Sequence, residues 1–208
     1  LLAVSQTERV DDLISVSRAA KVSPLVVDVE AYSIERAFNV IFPESDEQRI
    51  ALVDIGAMST TLYVFENGQL IYIRDQFFGS NQLTEEIQRR YSLSSVEAEE
   101  AKQSVKLPQG YFKNVLEPFK EVLVQQIERS LQFFYSSNAN AQIDRCFLCG
   151  GGANLENLAQ ETQNQINVTT ERLDPIANID ISSKAEKQGF EDCAKQMMTA
   201  IGLAMRSY

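Results

Sequence analysis

Two short runs of this 208-residue chain place chemistry-bearing groups at the ends of apolar stretches. In Val53-Asp54-Ile55-Gly56-Ala57-Met58-Ser59-Thr60-Thr61, a strand ends on a carboxylate, turns through a glycine and resumes with three successive hydroxyl residues. Such a glycine lets the backbone approach a phosphate closely. Turn amides and hydroxyls can bond its oxygens, and the aspartate can hold Mg2+ through water. A β-hairpin with a polar tip explains the same residues without a ligand. In the second run, Phe147-Leu148-Cys149-Gly150-Gly151-Gly152-Ala153-Asn154-Leu155, a buried strand enters three glycines before a helix expected to be capped by Asn154. The glycines leave a floor free of side chains, on which a planar base or a ribose phosphate can lie, and the helix N-terminus supplies amides and partial positive charge. A tight connector using glycine for turn geometry alone is the alternative. The order is not G-x-G-x-x-G and no early βαβ unit leads into it, which argues against a Rossmann dinucleotide site. A third pair, Asp28 and Glu30, is expected two apart on a strand with both carboxylates on one side, where they could orient a magnesium ion or an attacking water. Strand-end carboxylates also cap helices or face solvent.

Composition narrows the chemistry. The absence of histidine removes imidazole bases, histidine metal ligands and Ser/His/Asp triads, so a general base would have to be a carboxylate. A net charge of -10 without a basic cluster argues against a nucleic-acid partner. No run approaches the roughly 18 to 20 apolar residues of a membrane span, and the first segment lacks the basic flank and apolar core of a secretory leader. Cys146 and Cys149 fall on an expected strand, where residues three apart point to opposite faces, so they read as core packing and not as a zinc or redox pair. Three cysteines, an odd number, fit a reducing compartment. The opening Leu1-Leu2-Ala3-Val4 reads as a core strand, and the chain therefore as a piece of a longer protein.

The elements that must position these groups follow an α/β order. Strands are expected at Leu1 to Val4 and Leu25 to Val29, with helices at Thr7 to Ala20 and Ala31 to Val40. A meander follows: Ile50 to Asp54, Thr60 to Glu66 and Gln69 to Phe78, with Asn67-Gly68 marking its hairpin. Helices come next at Gln82 to Tyr91 and from a Ser94/Glu97 capping box to Gln103. Val115, Phe119, Val122, Ile127, Leu131 and Phe134 recur at helical spacing and predict a long amphipathic helix from Asn114 to Ser136. The strand Cys146 to Cys149, a helix from Asn154 to Ile166, a short strand at Val168 to Thr170 and a last helix reaching Arg206 complete the chain. No internal repeat is visible, and the polar stretch Pro43 to Gln48 is the nearest thing to a boundary.

The set in its order resembles the actin-like ATPase superfamily: Asp54-Ile55-Gly56, the hairpin, Phe78-Gly79 leading to Leu83-Thr84-Glu85-Glu86-Ile87, Ala98 to Lys102, Leu148 to Leu158 and Ala200 to Ala204. Val26 to Tyr32, Gln82 to Tyr91 with Arg89-Arg90, and Arg129 to Phe134 look like its PilM family of type IV pilus assembly proteins, which is related to FtsA. The resemblance covers essentially the whole chain and implies an actin-like, ribonuclease H-like fold with mixed sheets and helices on their faces. It implies that residues 1–48 are the remainder of a first lobe, and that residues 49–208 form a second lobe with a small helical insertion near 80–118 and a C-terminal helix returning to the first. It places Asp54, Gly56, Ser59 and Thr60 in the second phosphate loop for ATP and Mg2+, and Gly150, Gly151, Gly152 and Asn154 in the adenosine loop. Glu85, Glu99 and Lys102 fall where relatives contact ribose or base. The family's first phosphate loop would precede Leu1, so one wall of the cleft is expected to be missing. Ala57, Met58 and Thr61 depart from the glycines and the acidic residue of many relatives, which implies at most slow hydrolysis. The implied function is cytoplasmic, at the inner face of the bacterial inner membrane, binding the N-terminal tail of PilN within a PilN/PilO complex and acting alongside pilus assembly ATPases. Leu1 to about Pro24 would form part of the tail groove, which an incomplete lobe would damage. A small-molecule kinase and an FtsA-like filament former of the same superfamily are the alternatives.

Overall fold

The computed structural model describes residues 4–42, 48–103, 109–138, 141–176, 178–180, 182–183 and 196–206. Helices α1 (Thr7–Ala19) and α2 (Glu30–Ile41) precede a meander of β1 (Arg49–Ile55), β2 (Thr60–Glu66) and β3 (Gln69–Gln76). Helices α3 (Ser80–Tyr91) and α4 (Ser95–Gln103) follow, then a π-helical turn, Phe112–Leu116, that runs into α5 (Glu117–Ser137). Next come β4 (Arg145–Cys149), a 3-10 turn at Gly151–Asn154, α6 (Leu158–Ile166), β5 (Thr170–Arg172) and α7 (Met198–Ala204).

The five strands form one mixed sheet in the order β3-β2-β1-β4-β5. The meander is antiparallel, whereas β4 lies parallel to β1 and to β5. Asn67 and Gly68 both take positive φ, at 53° and 73°, the two-residue hairpin turn that an Asn-Gly pair favours. Both sheet faces are covered, so the central strands are apolar without strict alternation. One face packs Val53, Leu62, Val64 and Leu148 against Leu83, Leu123, Phe134 and Leu158. The other packs Leu52, Tyr63, Phe65 and Phe147 against Ile34, Phe38, Met198 and Ile201, with Phe38 stacked on Phe65 at 3.9 Å. Cys146 belongs to the first core and Cys149 to the second, the opposite-face placement expected of a strand.

The long helix, the meander and the Ser94/Glu97 capping box lie where the sequence predicts, and in the box Glu97 N donates to Ser94 Oγ and Ser94 N to Glu97 Oε2. Four elements differ. Leu25 to Val29 joins no ladder among the described residues, and Leu25 stays 82% exposed. A β-branched run becomes a strand only beside a backbone partner. Of the other expected early strand, residues 1–3 lie outside the described residues and Val4 is unpaired and exposed. The helix expected from Asn154 begins instead at Leu158, because the glycines close a 3-10 turn first. The short strand lies two residues later than predicted, since Thr170 is the residue that meets Cys146 in the ladder.

Candidate functional site

Parallel pairing of β1 with β4 sets Asp54 opposite Cys149, so the turns that follow the two strands emerge side by side. A cleft of about 770 Å3 opens there, at the carboxyl ends of parallel strands, where open α/β sheets place ligands. Asp54, Gly56, Ala57 and Ser80 line one wall, Gly150, Gly151, Gly152, Asn154 and Leu155 the floor, and Leu83, Glu99 and Lys102 the opposite wall. Glu30, Gln196 and Thr199 close the remaining side.

Two of the glycines are there because nothing larger fits. A Cβ on Gly150 would lie 2.2 Å from Asp54 Oδ1, and the residue also has φ of 82°, so both space and conformation demand glycine. A Cβ on Gly152 would meet Ile55 Cγ2 at 2.3 Å. The phosphate-type turn is tied at its base, with Gly56 N donating to Ser59 O at 2.9 Å. Its carbonyls are also held: Ser80 N donates to Gly56 O at 2.9 Å and Asn81 N to Ala57 O at 2.8 Å. Among the described residues, the amides of Ala57 and Met58 donate to no backbone carbonyl. Two amides left over at a turn tip form the kind of concavity that anions occupy.

Burial pushes the Asp54 carboxyl up to about 6, with help from the negative charge of Glu30 and against a hydrogen bond from the Cys149 thiol. The thiol is in turn pushed well above its ordinary value by its own burial and by Asp54. A cation arriving beside Asp54 would relieve this situation by favouring the charged carboxylate. Across the cleft, Lys102 Nζ pairs with Glu99 at 2.7 Å and donates to Thr84 Oγ1 at 2.9 Å, while Thr84 Oγ1 donates to Glu99 Oε2 at 2.9 Å. These residues sit on α3 and α4 and present a fixed charge pair to the opening. On the last wall, Thr199 Oγ1 donates to Glu30 Oε1 at 3.2 Å.

Of the residues predicted from sequence, Asp54, Gly56, Gly150, Gly151, Gly152, Asn154, Glu99, Lys102 and Glu30 therefore share one cleft. Asp28 does not. It sits ahead of α2 and off any strand, and its side chain is only 8% exposed, gripped by Arg36 and by Arg206 at 2.6 Å. The Arg206 hydrogen bond above all holds its carboxyl down at about 2, so it is a tie between α2 and α7 and cannot serve as a base. The two do not share one side of a strand, because Glu30 begins α2. Thr60 is buried with its hydroxyl spent on Phe78 O at 2.7 Å, and Ser59 contributes its carbonyl to closing the turn; neither lines the cleft. Glu85 lies on the exposed side of α3, away from the opening. Asn154 lines the cleft but caps no helix; its Nδ2 donates to Gly151 O at 3.4 Å within the 3-10 turn. Sequence reasoning missed Ser80, Thr84, Gln196 and Thr199. Ser80 and Thr84 had a signal, the Gly79-Ser80 entry into an amphipathic helix, whereas nothing local marks Gln196 or Thr199.

Comparison with known proteins agrees with this architecture. The family model described as type IV pilus assembly protein PilM matches residues 1–208. A solved structure titled as a PilM-PilN type IV pilus biogenesis complex superposes with a TM-score of 0.84 at 26% identity, over 97% of this chain and 58% of that one. The ethanolamine utilization protein EutJ from Carboxydothermus hydrogenoformans gives 0.66 at 16% identity, over 99% of this chain and 62% of that one. MreB 5 of Spiroplasma citri, bound to AMPPNP, gives 0.57 at 18% identity, over 91% and 68%. The chain thus spans less than two thirds of the first two of these proteins, and its α/β fold is actin-like.

Proposed function

The chain belongs to the PilM family of type IV pilus assembly proteins, and from that premise we propose that its cleft holds ATP with Mg2+ as a structural ligand or slow switch. The observation that carries the reading is the convergence of two glycine turns on one cleft, one ending in a buried carboxylate and the other in a floor without side chains. Phosphate would lie on the Ala57 and Met58 amides and the adenosine on Gly150 to Asn154, with Glu99 and Lys102 beside the ribose. Among the described residues no group of three acidic, cysteine or histidine side chains could cage a metal, so Asp54 would hold Mg2+ through water and phosphate oxygens. Glu30, on the far wall, is the carboxylate placed to orient a water. Asp54→Ala should weaken ATP affinity at least about tenfold in calorimetry with Mg2+ present. Unchanged affinity would remove Asp54, and with it this cleft, from the nucleotide site.

The partner in this proposal is the N-terminal cytoplasmic tail of PilN, reached from the cytoplasmic side of the inner membrane as part of a PilN/PilO assembly. Support comes from the family and from the 26%-identical structure solved as a PilM-PilN complex. No helix among the described residues is long and apolar enough to cross a membrane, so recruitment by a membrane partner would bring the protein to its place of action.

A further inference from the structure

The phosphate-type turn and helix α3 are joined by more than chain continuity. Asn81 N donates to Ala57 O and Ser80 N to Gly56 O, so the first two amides of α3 are bonded to the turn and not to water or a side chain. A third link runs from Thr60 Oγ1 to Phe78 O. Between these contacts sits Gly79, whose Cβ, if it had one, would lie 2.5 Å from Ala57 O and 2.7 Å from Gly56 O. Its φ of -153° is ordinary extended backbone, so glycine is needed here for space alone. Helix starts leave amides to be satisfied, and a turn carbonyl that accepts one is pulled by the helix dipole as well. α3 in turn carries Thr84, which is bonded to Glu99 and Lys102 of α4 on the opposite wall.

We infer that Gly79 is a positioning residue at a relay: anion binding at the Ala57–Met58 amides is passed through the Gly56 and Ala57 carbonyls to α3, and through Thr84 to the Glu99/Lys102 pair. The two ends of one peptide unit are engaged at once, its amide by the ligand and its carbonyl or its neighbour's by the helix. Movement of the turn therefore moves the helix start, and the walls of the cleft adjust together. The relay rests on the nucleotide reading above, since ATP is the anion that would drive it.

The test is amide hydrogen exchange of the full chain with and without Mg2+ and ATP, for wild type, Gly79→Ala and Asn81→Pro. The alanine crowds the Ala57 carbonyl. The proline removes the donor to Ala57 O, at a first-turn position like that of Pro118 in α5, and its ring Cδ takes the place of the amide hydrogen, so it too displaces that carbonyl. In wild type, ATP should slow exchange in Ser80–Tyr91 and Ser95–Gln103 by about fivefold or more. In either variant that slowing should vanish, while slowing at Gly150 to Asn154 persists at saturating ATP. Retained slowing of α3 and α4 in both variants would overturn the relay and leave direct ligand contact as the cause. Wild type that binds ATP without protecting α3 and α4 would also overturn it. Wild type that binds no ATP would overturn the nucleotide reading, and the relay with it.

Discussion

Asp54 occupies the most consequential position in the cleft, because its strand carries it into a low-dielectric crevice with no cationic partner among the described residues. Its carboxyl titrates near 6 against an ordinary 3.8, so the folded protein binds a proton more tightly than the unfolded chain does. The sign follows directly. Stability associated with Asp54 is fully present below about pH 4 and is lost as pH rises through about 6. In the nucleotide-free protein, Asp54→Asn should therefore match wild type near pH 4 and exceed it by about 3 kcal/mol at pH 7 in urea unfolding. Parallel pH profiles for the two proteins would contradict a buried, unpaired carboxylate. Asp28 shows the opposite case two residues before Glu30 of the cleft wall: the same residue type, satisfied by Arg36 and Arg206, has no charge to spare for chemistry. Carboxylates at the ends of expected strands made both of them candidates, and only the partners separate them.

At the scale of elements, what was legible depended on whether a signal is local. The Asn67-Gly68 turn, the capping box at Ser94 and the apolar stripe of α5 each depend on a few neighbouring residues, and each lies where the sequence predicts, except that Val122 of the stripe is 41% exposed. Leu25 to Val29 shows the limit, since its β-branched composition is a statement about a pleated surface that needs a neighbouring strand. Gln196 and Thr199 were invisible for a related reason. They reach the cleft because α7 crosses α2, and a contact spanning 166 residues leaves no mark on either segment alone. At this crossing Ser33 Oγ donates to Thr199 O at 2.6 Å and Arg36 Nε to Gly202 O at 2.9 Å. A Cβ on Gly202 would lie 1.7 Å from Ser33 O, which is backbone and cannot swing aside. Gly202→Ala should cost about 3 kcal/mol and lower the melting temperature by roughly 6 to 12 °C. An unchanged melt would mean that the two helices do not pack this closely. Lys120 illustrates a different element-level bond: nearly fully buried, it joins α5 to α6 through Glu161, pairs with Glu117 of its own helix and bonds Glu156 O at 3.2 Å.

The whole molecule is asymmetric in how it is covered. The sheet is protected on both faces, yet α1 buries none of its residues, and Leu13 and Val16 remain 57% and 69% exposed beside exposed Val22 and Leu25. Under the proposed function this is the region that contributes to holding the PilN tail. Leu13→Asp and Val16→Asp, made in the full-length protein, should each weaken binding of a PilN tail peptide about tenfold in fluorescence anisotropy. Neither should alter the melting temperature, because neither side chain belongs to either core. Full affinity in both variants would place the tail elsewhere. The crossing of α2 and α7 has another consequence, for the chain as it leaves the ribosome. The first core needs α3 to α6 and the meander, all made before residue 170, whereas the second needs Met198 and Ile201. The outer side of α2 must wait until Met198–Ala204 has been synthesised. In that interval the face of α2 around Ser33 and Arg36 is the surface a chaperone would meet.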